Sequence, residues 1–217
     1  ILDMGKGSLG IVQGGTGNDL AKSLNIPKDP KEAIKLILKG KSKSIDIGAT
    51  KGNLFINVAS IGFDAEVVKN TEGVKKYLRG TFAYLYGLFK TLIKYKFKNI
   101  EIKIDNRIIK EDLLLLAIGN GKYYGGGMNI CPRAKVDDGY FDICIVKKIP
   151  KTKLLFIFPS VFRGNHLKYK KYVEFYRSKK VSINMDTMES LNIDGEIIDI
   201  KKKINFEVLQ NKIDVIF

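Results

Sequence analysis

Apolar and polar positions along this chain change rhythm near residue 44. Ahead of that point, Leu9-Gly10-Ile11-Val12 is a short apolar run that stops at Gly14-Gly15, the pattern of a buried strand. Asn18 to Leu24 then reads as a helix that ends before Pro27. Asp29-Pro30 opens a second helix with a capping carboxylate and a proline in its first turn, and apolar residues follow at Ala33, Ile34, Ile37 and Leu38. Strand, turn, helix, helix is the expected tail of an α/β domain.

Past the lysine-rich stretch Lys39–Lys43, alternation with period two takes over. Strands are expected at Ile45–Ile47 and Leu54–Val58 around a turn at Lys51-Gly52-Asn53, then at 100–104, 108–118, 140–146, 181–185, 191–193 and 204–209. A helix near 153–162 interrupts them. Between the first strands and the rest, Val74, Leu78, Phe82, Leu85, Phe89 and Leu92 recur at helical steps, which predicts one long helix over about 74–96. Many strands at short spacing, joined by Asp-Gly and glycine-rich turns, predict a β-sandwich. The expected fold class is therefore α+β, mainly β: residues 1–44 the C-terminal remnant of an α/β domain, and residues 45–217 a β-sandwich domain carrying the long helix.

Composition adds little to this picture but excludes some chemistry. With 45% apolar and 28% charged residues, a large core is available and disorder is not expected. No apolar run reaches the length of a membrane-spanning helix. Cys131 and Cys144 are expected as two buried free thiols, and the single histidine, His166, as a surface or capping residue. One histidine leaves little room for zinc or for a histidine-based triad. The net charge of +15 suits nucleic acid, an anionic membrane surface or phosphate-bearing substrates, and equally a lysine-biased composition, since no dense basic run names a partner.

Three motifs can carry chemistry. Gly14-Gly15-Thr16-Gly17-Asn18-Asp19, between a strand and a helix, has the makings of a phosphate cradle. It is not a Walker A loop, and Leu20 breaks the GxGxxG pattern. Asp194-Gly195-Glu196 reads as a two-residue hairpin turn, or as two carboxylates on a rigid turn fit for proton transfer and cation binding. Gly125-Gly126-Gly127, followed by Asp137-Asp138-Gly139, is either close-packed turns or a hard-cation site.

Taken in order, Gly15-Thr16-Gly17-Asn18-Asp19-Leu20-Ala21, Ile45-Asp46-Ile47-Gly48, Phe55 through Asp64, Asn120-Gly121, the glycine triplet, Asp137-Asp138-Gly139 and Asp194-Gly195-Glu196 resemble the bacterial diacylglycerol kinase and YegS-like lipid kinase family over essentially the whole chain. The resemblance implies transfer of the γ-phosphoryl of ATP to a lipid hydroxyl, with Mg²⁺, in a cleft between an α/β nucleotide-binding domain and a β-sandwich. It implies Asp194 as general base with Glu196 in support. Gly15, Thr16, Gly17, Asn18 and Asp19 would face the nucleotide and its magnesium. Asp46 would link that magnesium through water to a second metal, held by Asp138 and the carbonyls of Lys135 and Tyr140. The family's Gly-Gly-Asp-Gly-Thr phosphate loop precedes the Gly-Thr-Gly-Asn-Asp block, and this sequence has none, so the chain is expected to be a kinase fragment that is inactive alone.

The resemblance further implies a cytoplasmic protein bound peripherally to the inner face of the membrane, with homodimerisation open. Sphingoid-base and NAD kinases share much of the plan. From a different class, a non-catalytic basic module on anionic membrane or nucleic acid would not need this set of carboxylates, and no nucleic-acid motif supports it.

Overall fold

The computed structural model describes residues 7–15, 17–72, 90–91 and 95–217. A short strand β1 (Ser8–Gly10) leads to α1 (Asp19–Ser23) and α2 (Pro30–Leu38). The Asp29 side chain accepts a hydrogen bond from the Lys31 N–H and caps α2, as its Asp-Pro start predicts. Then come β2 (Ser42–Thr50), β3 (Asn53–Phe55), β4 (Val58–Gly62) and α3 (Phe63–Glu72). The long helix expected over 74–96 falls almost entirely outside the described residues. Within that span Lys90 and Thr91 are helical, whereas Tyr95 and Lys96 are not.

β5 (Lys98–Ile104), β6 (Arg107–Gly119) and β7 (Phe141–Lys147) follow, then α4 (Lys151–Val161) and a 3-10 turn at Asn165–Lys168. The chain ends in β8 (Val173–Ser178), β9 (Lys180–Met185), β10 (Glu189–Ile193), β11 (Glu196–Ile200) and β12 (Lys203–Ile216). Two of these strands, β8 and β11, lack a clear alternating signal and were not expected. The strand expected over 54–58 is broken at Ile56-Asn57, a bend that becomes part of the site.

The twelve strands form one sheet, in the order β11-β10-β4-β6-β5-β9-β12-β2-β3, with β7 and β8 continuing from β6 and β1 lying parallel to β12. The sheet curls until its far parts face each other. Phe55 of β3 stacks on Phe141 of β7 at 5.5 Å between centroids and meets Phe206 of β12 edge-on at 6.3 Å. The cause is legible in the pleat: Ile100, Ile102 and Ile104 point into the enclosed core while Lys103 points out. β6 shows both faces in use, since Leu116 and Ile118 enter that core. Leu115 and Ala117 turn to a second cluster with Tyr124, Ile130, Cys131 and Cys144. Both cysteines are buried and free, as expected. His166 is not a surface residue: it is 1% exposed, and its Nε2 lies 3.1 Å from the Ile130 carbonyl. The apolar cluster beneath the 3-10 turn draws the ring inward.

Candidate active site

Asp194 occupies the first position of the β10–β11 turn with φ 48°, and Ile193 pairs with Glu196 across it. The Asp-Gly hairpin reading therefore holds. The turn residue is exposed, but its carboxylate folds inward onto the Ile56-Asn57 bend. Oδ2 accepts the Ile56 N–H at 2.7 Å, Oδ1 accepts the Val58 N–H at 2.8 Å, and the Asn57 N–H points between them. Burial pushes this carboxyl above the ordinary aspartate range, the three N–H donors pull against it, and the Glu196 carboxylate pushes with burial. Glu196 is exposed, and among the described residues its carboxylate makes no hydrogen bond.

Asn57 is the hub. Its N–H reaches Asp194, its Nδ2 donates to the Tyr123 carbonyl at 2.6 Å, and its carbonyl accepts the N–H groups of Asn120 and Gly121, both at 2.9 Å. The Ser23 hydroxyl donates to Asn57 Oδ1 at 3.3 Å and accepts the Lys122 N–H at 3.0 Å. The approach explains Gly121: a Cβ there would lie 2.0 Å from Asn57 Oδ1. Ser23 also touches the carbonyl of Asp19, and Asp19 Oδ2 accepts the Gly126 N–H at 2.8 Å. Glycine loop, glycine triplet and Asp-Gly-Glu turn, far apart in sequence, thus meet around one asparagine.

The glycine loop itself differs from expectation. Thr16 lies outside the described residues. Gly15 and Asn18 bond each other, with Asn18 Nδ2 donating to the Gly15 carbonyl at 2.6 Å, so Asn18 closes the loop rather than capping α1. At five residues, α1 is too short to offer an anion site at its N-terminus. Gly17 stands between, with only the Asp19 carboxylate near the place its Cβ would take.

Asp46 is buried beside the hub rather than in it. Gly139 donates its N–H to Oδ2 at 2.6 Å and Asn211 to Oδ1 at 2.9 Å, while Asn120 Nδ2 donates to the Asp46 carbonyl at 2.9 Å. Both carboxylate oxygens thus hold the 136–139 loop against the bulge in β12. Asp138 accepts the Tyr140 N–H at 3.1 Å and pairs with the Arg177 guanidinium, which also lies 3.8 Å from Asp142. Burial pushes the Asp142 carboxyl up to about 6, opposed by Arg177 and reinforced by Asp138. One carboxylate and the carbonyls of Lys135 and Tyr140 are the hard donors a divalent cation takes. Here, however, the positive charge is the protein's own, so the arrangement does not fit the second metal that the resemblance implies. Asp19 Oδ2 accepts the Gly126 N–H and its Oδ1 lies 3.4 Å from Lys22 Nζ, while the exposed Glu196 carboxylate makes no hydrogen bond among the described residues; such carboxylate oxygens are the donor type Mg²⁺ takes. Among the described residues no group of three or more His, Cys, Asp or Glu forms a metal cluster.

An apolar cavity of about 60 Å³ is walled by Leu115, Met128, Leu154, Ile157 and Phe158. Asp64 and His166 are among the residues of its lining. The Ser60 hydroxyl donates to Asp64 Oδ2, and Asn192 Nδ2 donates to the same oxygen at 3.3 Å. Asn192 Oδ1 in turn accepts the Gly195 N–H at 2.9 Å, so one amide ties the cavity to the Asp194 turn. Sequence reasoning missed Asn192, Ser23 and the central part played by Asn57; an asparagine two residues ahead of an Asp-Gly turn was the available signal.

Burial holds the Asp64 carboxyl above the ordinary aspartate range, with Ser60 and Asn192 pulling the other way. A raised acid contributes stability that is complete below the unfolded value of about 3.9 and is lost as pH climbs through the folded value. Asp64→Asn has no such proton to lose. Its urea-unfolding stability is expected to gain on wild type as pH rises above the unfolded value of about 3.9. The gain is ~1.4 kcal/mol for every pH unit that separates the folded acid's midpoint from the unfolded one. Parallel pH profiles for the two proteins would refute this account of Asp64.

Residues 57–217 match the YegS C-terminal NAD kinase beta sandwich-like domain, and residues 4–50 match the diacylglycerol kinase catalytic domain. The chain is 35% identical over 189 residues to a diacylglycerol kinase of Staphylococcus saprophyticus, covering 87% of this chain and 62% of that one. Against a diacylglycerol kinase of Staphylococcus aureus it is 34% identical over 207 residues, covering 95% and 65%. The chain thus spans less than two thirds of the length of these curated relatives. A solved structure of a candidate diacylglycerol kinase from Bacillus anthracis has a TM-score of 0.77 at 27% identity, covering 97% of this chain and 68% of that one. A second structure from the same organism, with TM-score 0.71, 23% identity and coverage of 97% and 66%, shares the fold. With three quarters of its length in the first of those domains, this chain belongs to the YegS-like diacylglycerol kinase family.

Proposed function

We propose that this chain is the larger part of a lipid kinase that moves the γ-phosphoryl group of ATP onto the hydroxyl of diacylglycerol, giving phosphatidic acid. One observation carries the reading beyond family membership. A carboxylate fixed by three backbone N–H groups is tied through its own turn and Asn192 to Asp64, which lines an apolar cavity. That is the pairing a lipid alcohol needs: apolar walls where its tail begins and a base at its hydroxyl.

In this reading the lipid hydroxyl donates its proton to Asp194 as its oxygen bonds to the γ-phosphorus, and the bond to ADP breaks in line. Burial and Glu196 keep the carboxylate basic enough to take the proton. The N–H donors hold it in place, so no reorganisation is needed at the moment of reaction. Asp19, with Glu196 in support, would hold Mg²⁺, which supplies neutralisation of charge on the phosphates. The Asn57 hub sets the distance between the Asp19 side and the Asp194 side. The sequence contains no Gly-Gly-Asp-Gly-Thr phosphate loop, and the chain by itself is proposed to transfer nothing. Among the described residues no helix is long and apolar enough to cross a membrane, and the proposed place of work is the cytoplasmic membrane surface.

The test follows ³²P from Mg·ATP into a panel of diacylglycerol, sphingoid bases and NAD, using the complete gene product and this chain side by side. Labelled phosphatidic acid from the complete product alone is expected. Labelling of another acceptor instead would overturn the assignment, and labelling by the isolated chain would overturn the need for the loop.

A further inference from the structure

The excess positive charge is not spread evenly. From Ile143 to Val173 the chain carries eight Lys and Arg residues and no Asp or Glu, so +8 of the +15 net charge sits in 31 residues. Lys147 pairs with Glu111 and Glu174, and Lys148 with Asp112. Among the described residues Arg163, Lys168 and Lys170 pair with no carboxylate, and Lys171 lies over the Tyr172 ring instead. Lys168, Lys170 and Lys171 are all exposed.

The helix in the middle of this stretch is apolar on two sides. Leu154, Ile157, Phe158 and Val161 of α4 face the apolar cavity. The side turned away from it presents Leu155 and Phe156, 45% and 83% exposed, and Phe162, just past the helix end and 45% exposed, meets the Phe158 ring edge-on. An all-round apolar helix belongs in a core or against a membrane, and the core is served by the inner stripe alone. The first turn adds a second anomaly. It holds Lys151 and Lys153, no acidic residue and no side-chain cap, which opposes the helix dipole. Local helix stability does not call for lysines there.

We infer that the outer side of α4 with the 3-10 turn after it is the surface that docks on an anionic phospholipid bilayer, Phe156 entering the headgroup layer and Lys168, Lys170 and Lys171 meeting lipid phosphates. Charges of one sign around a protruding aromatic suit a negatively charged leaflet. The cavity behind the same helix gives the position a purpose, because a lipid leaving the bilayer there passes between apolar residues. This purpose rests on the lipid-kinase reading; the docking does not.

The experiment measures co-sedimentation of the complete gene product with vesicles of phosphatidylcholine alone and of phosphatidylcholine with phosphatidylglycerol. Wild type is expected to bind the anionic vesicles and to release them as salt rises. The combined Lys168→Gln, Lys170→Gln, Lys171→Gln variant is expected to bind on the order of 100-fold more weakly, at about fivefold per charge. Phe156→Gln is expected to weaken binding about tenfold. The control variant Lys201→Gln, Lys202→Gln, Lys203→Gln removes as much charge from the β11–β12 turn and is expected to bind as wild type. Equal loss in the control would overturn the proposal, since net charge alone would then explain binding. Unchanged vesicle binding in the first two variants, or loss of binding to polyglutamate in place of vesicles, would overturn it too. Docking without lipid phosphorylation by wild type would end the kinase reading and leave this surface standing.

Discussion

Replacing Asp194 with asparagine is expected to slow phosphoryl transfer by about 10²–10⁴-fold, the range for loss of a positioned general base. Nucleotide affinity is expected to stay near wild type, because the hub around Asn57 and Asp19 is untouched. The variant carries a second signature. The carboxylate accepts N–H bonds from Ile56, Asn57 and Val58, whereas an asparagine amide turns one of its two ends into a donor facing those donors. Unfolding in urea is therefore expected to show a loss of roughly 1–3 kcal/mol alongside the loss of rate. In wild type the rate is expected to fall as pH drops through the raised Asp194 value, and the variant to lack that limb. Full turnover in Asp194→Asn would remove the base from the mechanism. A stability loss with no rate loss would make Asp194 a clamp and nothing more.

The second large effect is purely structural. Phe55→Ala is expected to destabilise the chain by about 3–5 kcal/mol, read from the urea midpoint. Phe55 is 1% exposed and holds the curled sheet closed by stacking on Phe141 and meeting Phe206 edge-on. Its ring also covers Gly48 on the paired strand, where a Cβ would come within 2.1 Å of it. Removing the ring uncovers that backbone and leaves a cavity that neighbouring strands cannot close without shifting. Total stabilities of about 5–15 kcal/mol make such a loss a large part of the whole. Because Phe55 directly precedes the bend that grips Asp194, slower transfer is expected to accompany it. A loss below about 1 kcal/mol would mean that the sheet closes without this ring.

The alternating strands were legible because isoleucine at every second position leaves one reading, as in Ile100, Ile102 and Ile104. Asp194-Gly195 was legible as a turn for the same local reason. The order of motifs also pointed to the right family before any geometry. What local pattern does not encode is which distant groups meet. Asp46 was singled out by the resemblance alone, and nothing local shows that its two oxygens hold backbone N–H groups from segments about a hundred residues away or more. His166 looked external because Arg163, Gly164 and Asn165 precede it, and it is buried against the Ile130 carbonyl, more than thirty residues away. Arg177, in a strand with no clear signal of its own, turned out to balance Asp138 and Asp142.

The last strand of the chain is an inner strand of the sheet. β12 lies between β9 and β2 and also receives β1 along its far end. During synthesis, β2 and β9 therefore wait with unpaired edges until residues 203–216 leave the ribosome, and open edges of that kind recruit other chains. Pairing Ser8 with Asp214 joins segments far apart in sequence, a kind of contact that forms slowly. Until residues 203–216 are in place the sheet has two open edges in its middle, and that interval is when chaperone protection matters most.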